Sequence, residues 1–228
     1  LPNAFFVLPE DNRVILDGGE TKHLRVTRAK PGDELTGIDG RGTVYRFLLE
    51  ELGKSSASGT VVEREYVERD GKSITVAVAA TKWPRLHILI EKATELGVDR
   101  IELFNSLRSV SRVDETKLTK FNAVAREAAK QSVNPYIPEI TVSQTLPLEG
   151  SYNLLLEFGG RPLLEVEEKL ACERKLRLIV GPEGGFAPEE IKDISTRCTP
   201  VSLGRRTLRV ETSVIVVLGI INYRLGRM

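Results

Sequence analysis

Cysteine is scarce in this chain: Cys172 and Cys198 are the two it has. Their spacing matches neither a metal-binding motif nor a disulfide framework, and the histidines that could join them are His23 and His87. No metal site is expected, and both cysteines read as filler in a reducing compartment. Long apolar runs are missing too. The longest, Val214 to Ile221 with Gly219 inside it, falls far short of the roughly 20 residues that cross a bilayer. The first residues lack the basic flank and unbroken apolar stretch of a secretion signal, so a cytoplasmic protein without a membrane contact is the expectation. Neither charge is in excess: 33 Lys and Arg stand against 32 Asp and Glu, a formal net charge of +1. That balance excludes a uniformly basic nucleic-acid binder and leaves room for a local basic patch.

What remains is ordinary globular composition, 41% apolar and 29% charged over 228 residues. That is enough for one large core or two small domains. As far as residue 71 the chain carries short β-like runs, at 5–8, 13–16, 34–38, 43–49 and 58–62. Turn signals separate them, among them Lys30-Pro31-Gly32-Asp33 and Asp39-Gly40-Arg41-Gly42. A small barrel or curled sheet is expected there, with one short helix over Glu20 to Arg28 that turns Leu24 and Thr27 inward. From Ser73 the pattern changes. Apolar runs at 74–80, 100–104, 152–157, 176–180 and 200–203 read as buried strands. Helical spacing fills the gaps, from Pro84 to Leu96, Asp114 to Gln131, Pro162 to Ala171, Pro188 to Arg197 and Glu211 to Leu225. This alternation predicts a mostly parallel sheet with helices on both faces. Arg69-Asp70-Gly71-Lys72 reads as a polar linker, which divides the chain into residues 1–71 and 72–228.

Chemical density is highest in two loops near the end, Val180-Gly181-Pro182-Glu183-Gly184-Gly185-Phe186 and Leu203-Gly204-Arg205-Arg206-Thr207-Leu208-Arg209-Val210-Glu211-Thr212-Ser213. Each follows a strand and enters a helix, which is where open α/β folds place ligand sites. The first has no closing Gly-Lys-Ser or Gly-Lys-Thr and no Gly-x-Gly-x-x-Gly pattern, so phosphate cradling is disfavoured. Small residues instead let a planar ligand approach the backbone; a tight turn with no ligand is the plain alternative. In the second loop Arg205, Arg206 and Arg209 suit phosphate contacts, because guanidinium donors are fixed in a fork. Glu211 could accept from a base, pair with an arginine or cap the last helix. That helix is apolar nearly all round, so it is expected to thread the core, to pack on a second subunit, or both.

These loops in series resemble those of the RsmE family of 16S ribosomal RNA uridine N3-methyltransferases, within the SPOUT superfamily. The resemblance extends to His23-Leu24-Arg25-Val26-Thr27-Arg28, Glu91-Lys92-Ala93-Thr94-Glu95-Leu96-Gly97-Val98, Arg108-Ser109 and Glu127-Ala128-Ala129-Lys130-Gln131-Ser132. It implies an α/β protein in which a PUA-like β-barrel precedes a trefoil-knotted methyltransferase domain that forms a homodimer. It also implies S-adenosylmethionine as the cofactor and 16S rRNA as the partner, within the small ribosomal subunit or an assembly intermediate. Carried over by position, the cofactor pocket would be walled by Leu156, Glu157, Phe158 and Gly159, by Gly181, Pro182, Glu183, Gly184 and Gly185, and by Ser202, Leu203, Gly204, Leu208, Arg209 and Thr212.

Methyl transfer to uracil N3 requires loss of the N3 proton, and a nearby guanidinium would stabilise the resulting anion. Arg209 is the first candidate for that role, and Glu211 is the candidate for general base or for orienting Arg209. RNA contacts are expected from Arg25, Arg28, Arg108, Arg205 and Arg206. At two places the chain departs from the family pattern. Leu107 stands where a Glu precedes the Arg-Ser pair, and Asn134 stands where the family has Arg. Both changes fall outside the cofactor loops.

Overall fold

The computed structural model of the chain describes residues 4–227, which divide into two compact units. One comprises the chain up to Arg69 together with Arg126–Ile137; the other comprises Asp70–Ala125 and the chain from Pro138 onward.

The first unit is built on β1 (Phe5–Phe6), β2 (Leu8–Glu10), β3 (Arg13–Leu16), α1 (Gly18–Val26), β4 (Glu34–Ile38), β5 (Thr43–Leu52) and β6 (Ala57–Tyr66). The strands form one sheet in the order β1-β4-β5-β6-β3-β2. Only the β1–β4 pair is parallel. β1 and β2 lie at opposite edges, yet a single residue, Val7, separates them in the chain. Edges that share one continuous segment must meet, so the sheet curls closed into a barrel, which also removes its unpaired edges. In β5 the side chains of Tyr45, Phe47 and Leu49 are buried while Arg46, Leu48 and Glu50 face out, the period of two that a one-sided strand requires. These residues join Phe5, Val7, Val14, Leu16 and Leu24 in the core.

α1 starts two residues earlier than its sequence suggests, because the Asp17 carboxylate accepts from Glu20 N at 2.9 Å and caps it. It also ends earlier. Arg28 takes a left-handed conformation (φ 61°), Arg28 N donates to Arg25 O at 3.1 Å and Ala29 N to Leu24 O at 2.9 Å. This is a Schellman ending with arginine in the place glycine usually takes. Leu24 is buried as expected, whereas Thr27 lies past the helix and is exposed. The Arg126–Ile137 segment supplies Ala129, packed with Ala4, Phe6 and Ile38. It also supplies Lys130, whose buried ammonium pairs with Glu20 at 3.1 Å and Glu127 at 2.8 Å.

The second unit contains β7 (Ser73–Ala79), α2 (Trp83–Glu95), β8 (Arg100–Phe104), the first half of α3 (Leu118–Ser132), β9 (Glu139–Ser143) and β10 (Tyr152–Pro162). It continues through α4 (Glu167–Cys172), β11 (Lys175–Val180), α5 (Pro188–Arg197), β12 (Thr199–Ser202) and α6 (Val210–Arg224). Its sheet runs β12-β10-β11-β7-β8-β9, and every pair is parallel. β7 and β11 occupy the centre, which is why both are apolar almost throughout.

Two elements depart from the sequence reading. β9 is a sixth strand on the edge beside β8, and its short Glu-Ile-Thr-Val-Ser run carried too little apolar signal to be read. β10 does not stop at Glu157. It pairs with β12 through Leu156↔Val201, loops out, and pairs again through Arg161↔Val201. A four-residue bulge, Glu157 to Gly160, therefore interrupts one long strand.

α6 buries Val210, Val214, Val217, Leu218 and Ile221 and packs on α2, α4 and β11. Val216 remains 39% exposed and Tyr223 73% exposed on its other side. Among the described residues no helix is long and apolar enough to cross a membrane. Nor does any group of three or more His, Cys, Asp or Glu stand ready to hold a metal. Burial pushes the Cys198 thiol up to about 11, which suppresses its thiolate.

Candidate active site

The bulge of β10 and the C-terminal ends of β11 and β12 surround a cavity of about 200 Å³ in the second unit. Strand ends of a parallel sheet cannot continue their ladder, so their loops are free to face a ligand. Of the residues expected around a cofactor, Leu156, Glu157, Gly181, Pro182, Glu183, Gly185, Ser202, Leu203, Gly204 and Leu208 line the cavity, and so does Phe158. Gly159, Gly184, Arg209 and Thr212 are not among the lining residues.

Six further lining residues, Val180, Phe186, Val201, Thr207, Val210 and Ser213, were not assigned to the cofactor wall. All but Val201 lie within the two loops as read, and Ser213 lies at i+3 from Val210 on α6. Taking both loops whole, with one more strand residue of β12, would have found them.

The first loop is shaped by close packing. A Cβ on Gly181 would sit 2.8 Å from the Phe186 ring, which stacks on Phe104 at 6.3 Å between centroids. Glycine at 181 lets the loop fold over that ring. Gly185 N then donates to Pro182 O at 2.9 Å and closes the turn.

The Glu183 carboxylate does more than face the cavity. It accepts from Thr81 Oγ1 just past β7, and from Arg85 Nη1 on α2 at 2.7 Å. Burial pushes its pKa up, but the Thr81 hydrogen bond and the Arg85 charge outweigh burial and hold it below the usual carboxylate value of 4.5. A depressed carboxylate stabilises the fold above its unfolded pKa, and the contribution is lost as pH falls through the folded pKa. Acidification through and below about pH 4.5 should therefore loosen this loop in the wild-type protein. Glu183→Gln should show a shallower loss of ligand affinity over the same acid range in calorimetric titration. Parallel acid limbs for the two proteins would refute the anchoring role.

A second carboxylate fixes the neighbouring loop. Glu190, in the first turn of α5, accepts from Ser106 Oγ and Leu107 N at 3.0 Å each and from Ala187 N at 2.9 Å. This clamp holds the segment after β8 beside the first loop, and Arg108 Nη1 reaches Gly184 O at 3.4 Å. Only the backbone of Leu107 takes part; its side chain is exposed.

The second loop turns sharply at Gly204 (φ 104°), a conformation L side chains rarely adopt, and Ser202 Oγ accepts from Gly204 N at 3.2 Å. Arg206, expected as an RNA contact, lines the cavity itself. Arg205 and Arg209 are exposed. Arg209 is the residue preceding the first turn of α6. Glu211 lies buried in that turn, with Oε2 lacking any hydrogen-bond partner and outside the cavity-lining set. In the barrel unit Arg25 donates to Gly53 O, and to Lys54 O at 3.2 Å, so part of its guanidinium is spent on the turn after β5. Arg28 is exposed.

The arrangement suits a ligand that is partly apolar and is read by backbone groups: the β10 bulge and two strand-end loops, all three glycine-bearing, with one guanidinium on the wall. Known proteins resemble the chain in the same two regions. The model of an RNA methyltransferase domain matches residues 68–222, and that of an RNA methyltransferase PUA domain matches residues 16–62. The Ribosomal RNA small subunit methyltransferase E of Mycobacterium bovis is 31% identical, over 96% of this chain and 90% of that protein. A crystal structure of a predicted RNA methyltransferase from Thermotoga maritima is 32% identical and covers 100% of both chains at a TM-score of 0.80. A Ribosomal RNA small subunit methyltransferase E from Neisseria gonorrhoeae, crystallised bound to S-adenosyl methionine, is 23% identical, covers 98% of both chains and reaches a TM-score of 0.86. At that identity it speaks for the fold alone.

Proposed function

The chain belongs to the ribosomal RNA small subunit methyltransferase E family of RNA methyltransferases, and on that premise we propose that it transfers a methyl group from S-adenosylmethionine to N3 of a uridine in 16S rRNA. The observation that carries this reading is the cavity at the β10 bulge and the ends of β11 and β12, lined by the two loops whose sequence resembles the family's. The donor set fits the cofactor. Leu156, Leu203 and Leu208 offer apolar walls, while the amides and carbonyls around Gly181 and Gly204 can read an adenine edge. When bound, the cofactor supplies a methyl group already activated on a sulfonium.

The protein's own task is then to place the uracil in line and to carry the charge its deprotonation creates. Arg209, at the start of α6 and outside the cavity lining, is kept as the candidate to stabilise a uracil anion, with Arg206 on the cavity wall as the second candidate and the N-terminal end of α6 adding its dipole. Glu211, with an unpartnered buried oxygen, is kept as the candidate that orients Arg209 or accepts the proton. Residues 1–71 act as the PUA-like RNA-holding domain and 72–228 as the catalytic and dimerisation domain. We read the segment from β10 to α6 as a trefoil knot. In support, β12 returns to pair with β10, and α6 then packs back on α2 and α4. The exposed side of α6, with Val216 and Tyr223, is the surface offered to a second copy. The protein works in the cytoplasm, on the small subunit or its assembly intermediate.

The test is incubation of the protein and S-adenosylmethionine with small subunits lacking the modification, followed by nucleoside mass analysis. The expected product is 3-methyluridine. Transfer to another base atom would keep the enzyme and sink the substrate, while absence of any transfer by folded dimer would sink the enzyme.

A further inference from the structure

The Glu157–Gly160 bulge does something that the cofactor pocket alone does not require. A regular β10 would turn successive side chains alternately into and out of the sheet. The bulge instead carries Phe158 to the cavity rim, where it is 65% exposed while still lining the cavity. Bulges recur beside active sites because they re-aim a side chain in this way. A large apolar ring held in solvent gains nothing for the fold, and Gly159 beside it has open space where a Cβ would be. Arg206 lines the same cavity, and Arg205 and Arg209 are exposed on its loop. An aromatic face and a cationic loop at one cavity form the pairing that binds single-stranded RNA: the ring stacks a base and the guanidiniums take the backbone.

We propose that Phe158 is the stacking platform for the target uracil, presented at the cavity mouth by the β10 bulge. The inference rests on the methyltransferase reading and deepens it by naming the surface that holds the base. Stacking on a ring is tolerant of sequence, so Phe158 holds the base without selecting it.

Wild-type protein, Phe158→Ala and Phe158→Trp are compared in two measurements. The first is calorimetric titration with S-adenosylmethionine. The second is steady-state methylation of small subunits lacking the modification. For Phe158→Ala the expected result is a KM for subunits raised about 5- to 150-fold and a smaller change than that in cofactor Kd, the retained cofactor binding also reporting an intact fold. Phe158→Trp, which keeps a face to stack on, should stay within about threefold of wild type. Two results overturn the proposal with the enzyme left standing. One is a subunit KM that alanine leaves unchanged. The other is a loss confined to cofactor binding, which would make the ring a lid on the cofactor. A wild-type protein that neither binds S-adenosylmethionine nor methylates any RNA would remove the methyltransferase reading and this inference with it.

Discussion

Glu102→Ala is expected to lower the stability of the second unit by about 3–5 kcal/mol, because it strands a buried guanidinium. Arg177 on β11 and Glu102 on β8 are 6% and 4% exposed and face each other across β7. Arg177 Nε donates to Glu102 Oε2 at 2.9 Å, and Nη2 lies 3.4 Å from Oε1. Its remaining donor reaches Asn153 Oδ1 and Glu149 O at 3.2 Å each. Desolvating two ions is costly, so an intact pair contributes little net stability, whereas removal of one partner leaves the cost of the other unmet.

For a chain of this size the loss corresponds to roughly 6–20 °C in the unfolding midpoint. Arg177→Met should behave like Glu102→Ala. Combining Glu102→Leu with Arg177→Met should recover most of the loss, since two apolar side chains of similar volume leave no stranded charge. The pair lies mid-strand, and neither residue lines the cavity. Cofactor affinity below the transition should therefore stay within about twofold of wild type. Calorimetric scans of the two singles and the double decide the matter. A single variant within about 1 kcal/mol of wild type, or a double no better than the singles, would contradict the account.

Legibility differed between fold and site for physical reasons. Central strands such as β7 and β11 are apolar on both faces, so their composition alone revealed them. A barrel or curled sheet was legible in the short β-like runs, but how it closes was not. It depends on β1 and β2 pairing at opposite edges around Val7, a non-local fact that no local pattern encodes. β9 was missed because an edge strand needs little apolar material. The site loops were legible through glycine and arginine, but the roles of their side chains were not. Glu183 reads as a ligand in sequence, yet its carboxylate holds Thr81 and Arg85, residues about 100 positions away. The sequence reading put Arg209 at the cofactor and Arg206 at the RNA, whereas of the two only Arg206 lines the cavity. The β10 bulge left no trace that the Glu157-Phe158-Gly159-Gly160 run could reveal, because two glycines suit a loop end as well as a close approach.

That pair of glycines yields the sharpest contrast in expected outcomes. A Cβ on Gly160 would lie 2.5 Å from Val201 N and 2.7 Å from Pro200 C and Val201 C, all backbone atoms of β12. Nothing flexible stands there to give way, so Gly160→Ala must push β12 off β10. Gly159 has nothing within 4 Å of the same position, and Gly159→Ala costs no packing. β12 leads directly into Ser202, Leu203 and Gly204, one wall of the cavity. Displacing it changes the cavity through Val201 and Ser202, which line it, although the substituted residue does not. Overpacking of this kind costs about 1–3 kcal/mol, and more when backbone must move. Gly160→Ala is therefore expected to weaken S-adenosylmethionine binding at least about tenfold and to lower the unfolding midpoint, while Gly159→Ala stays within about twofold. Calorimetric titration of the two variants, with thermal scans, is the measurement. Equal behaviour would show that β12 shifts freely along the bulge. A larger loss for Gly159→Ala would mean that the open side of the bulge, and not its contact with β12, faces the ligand.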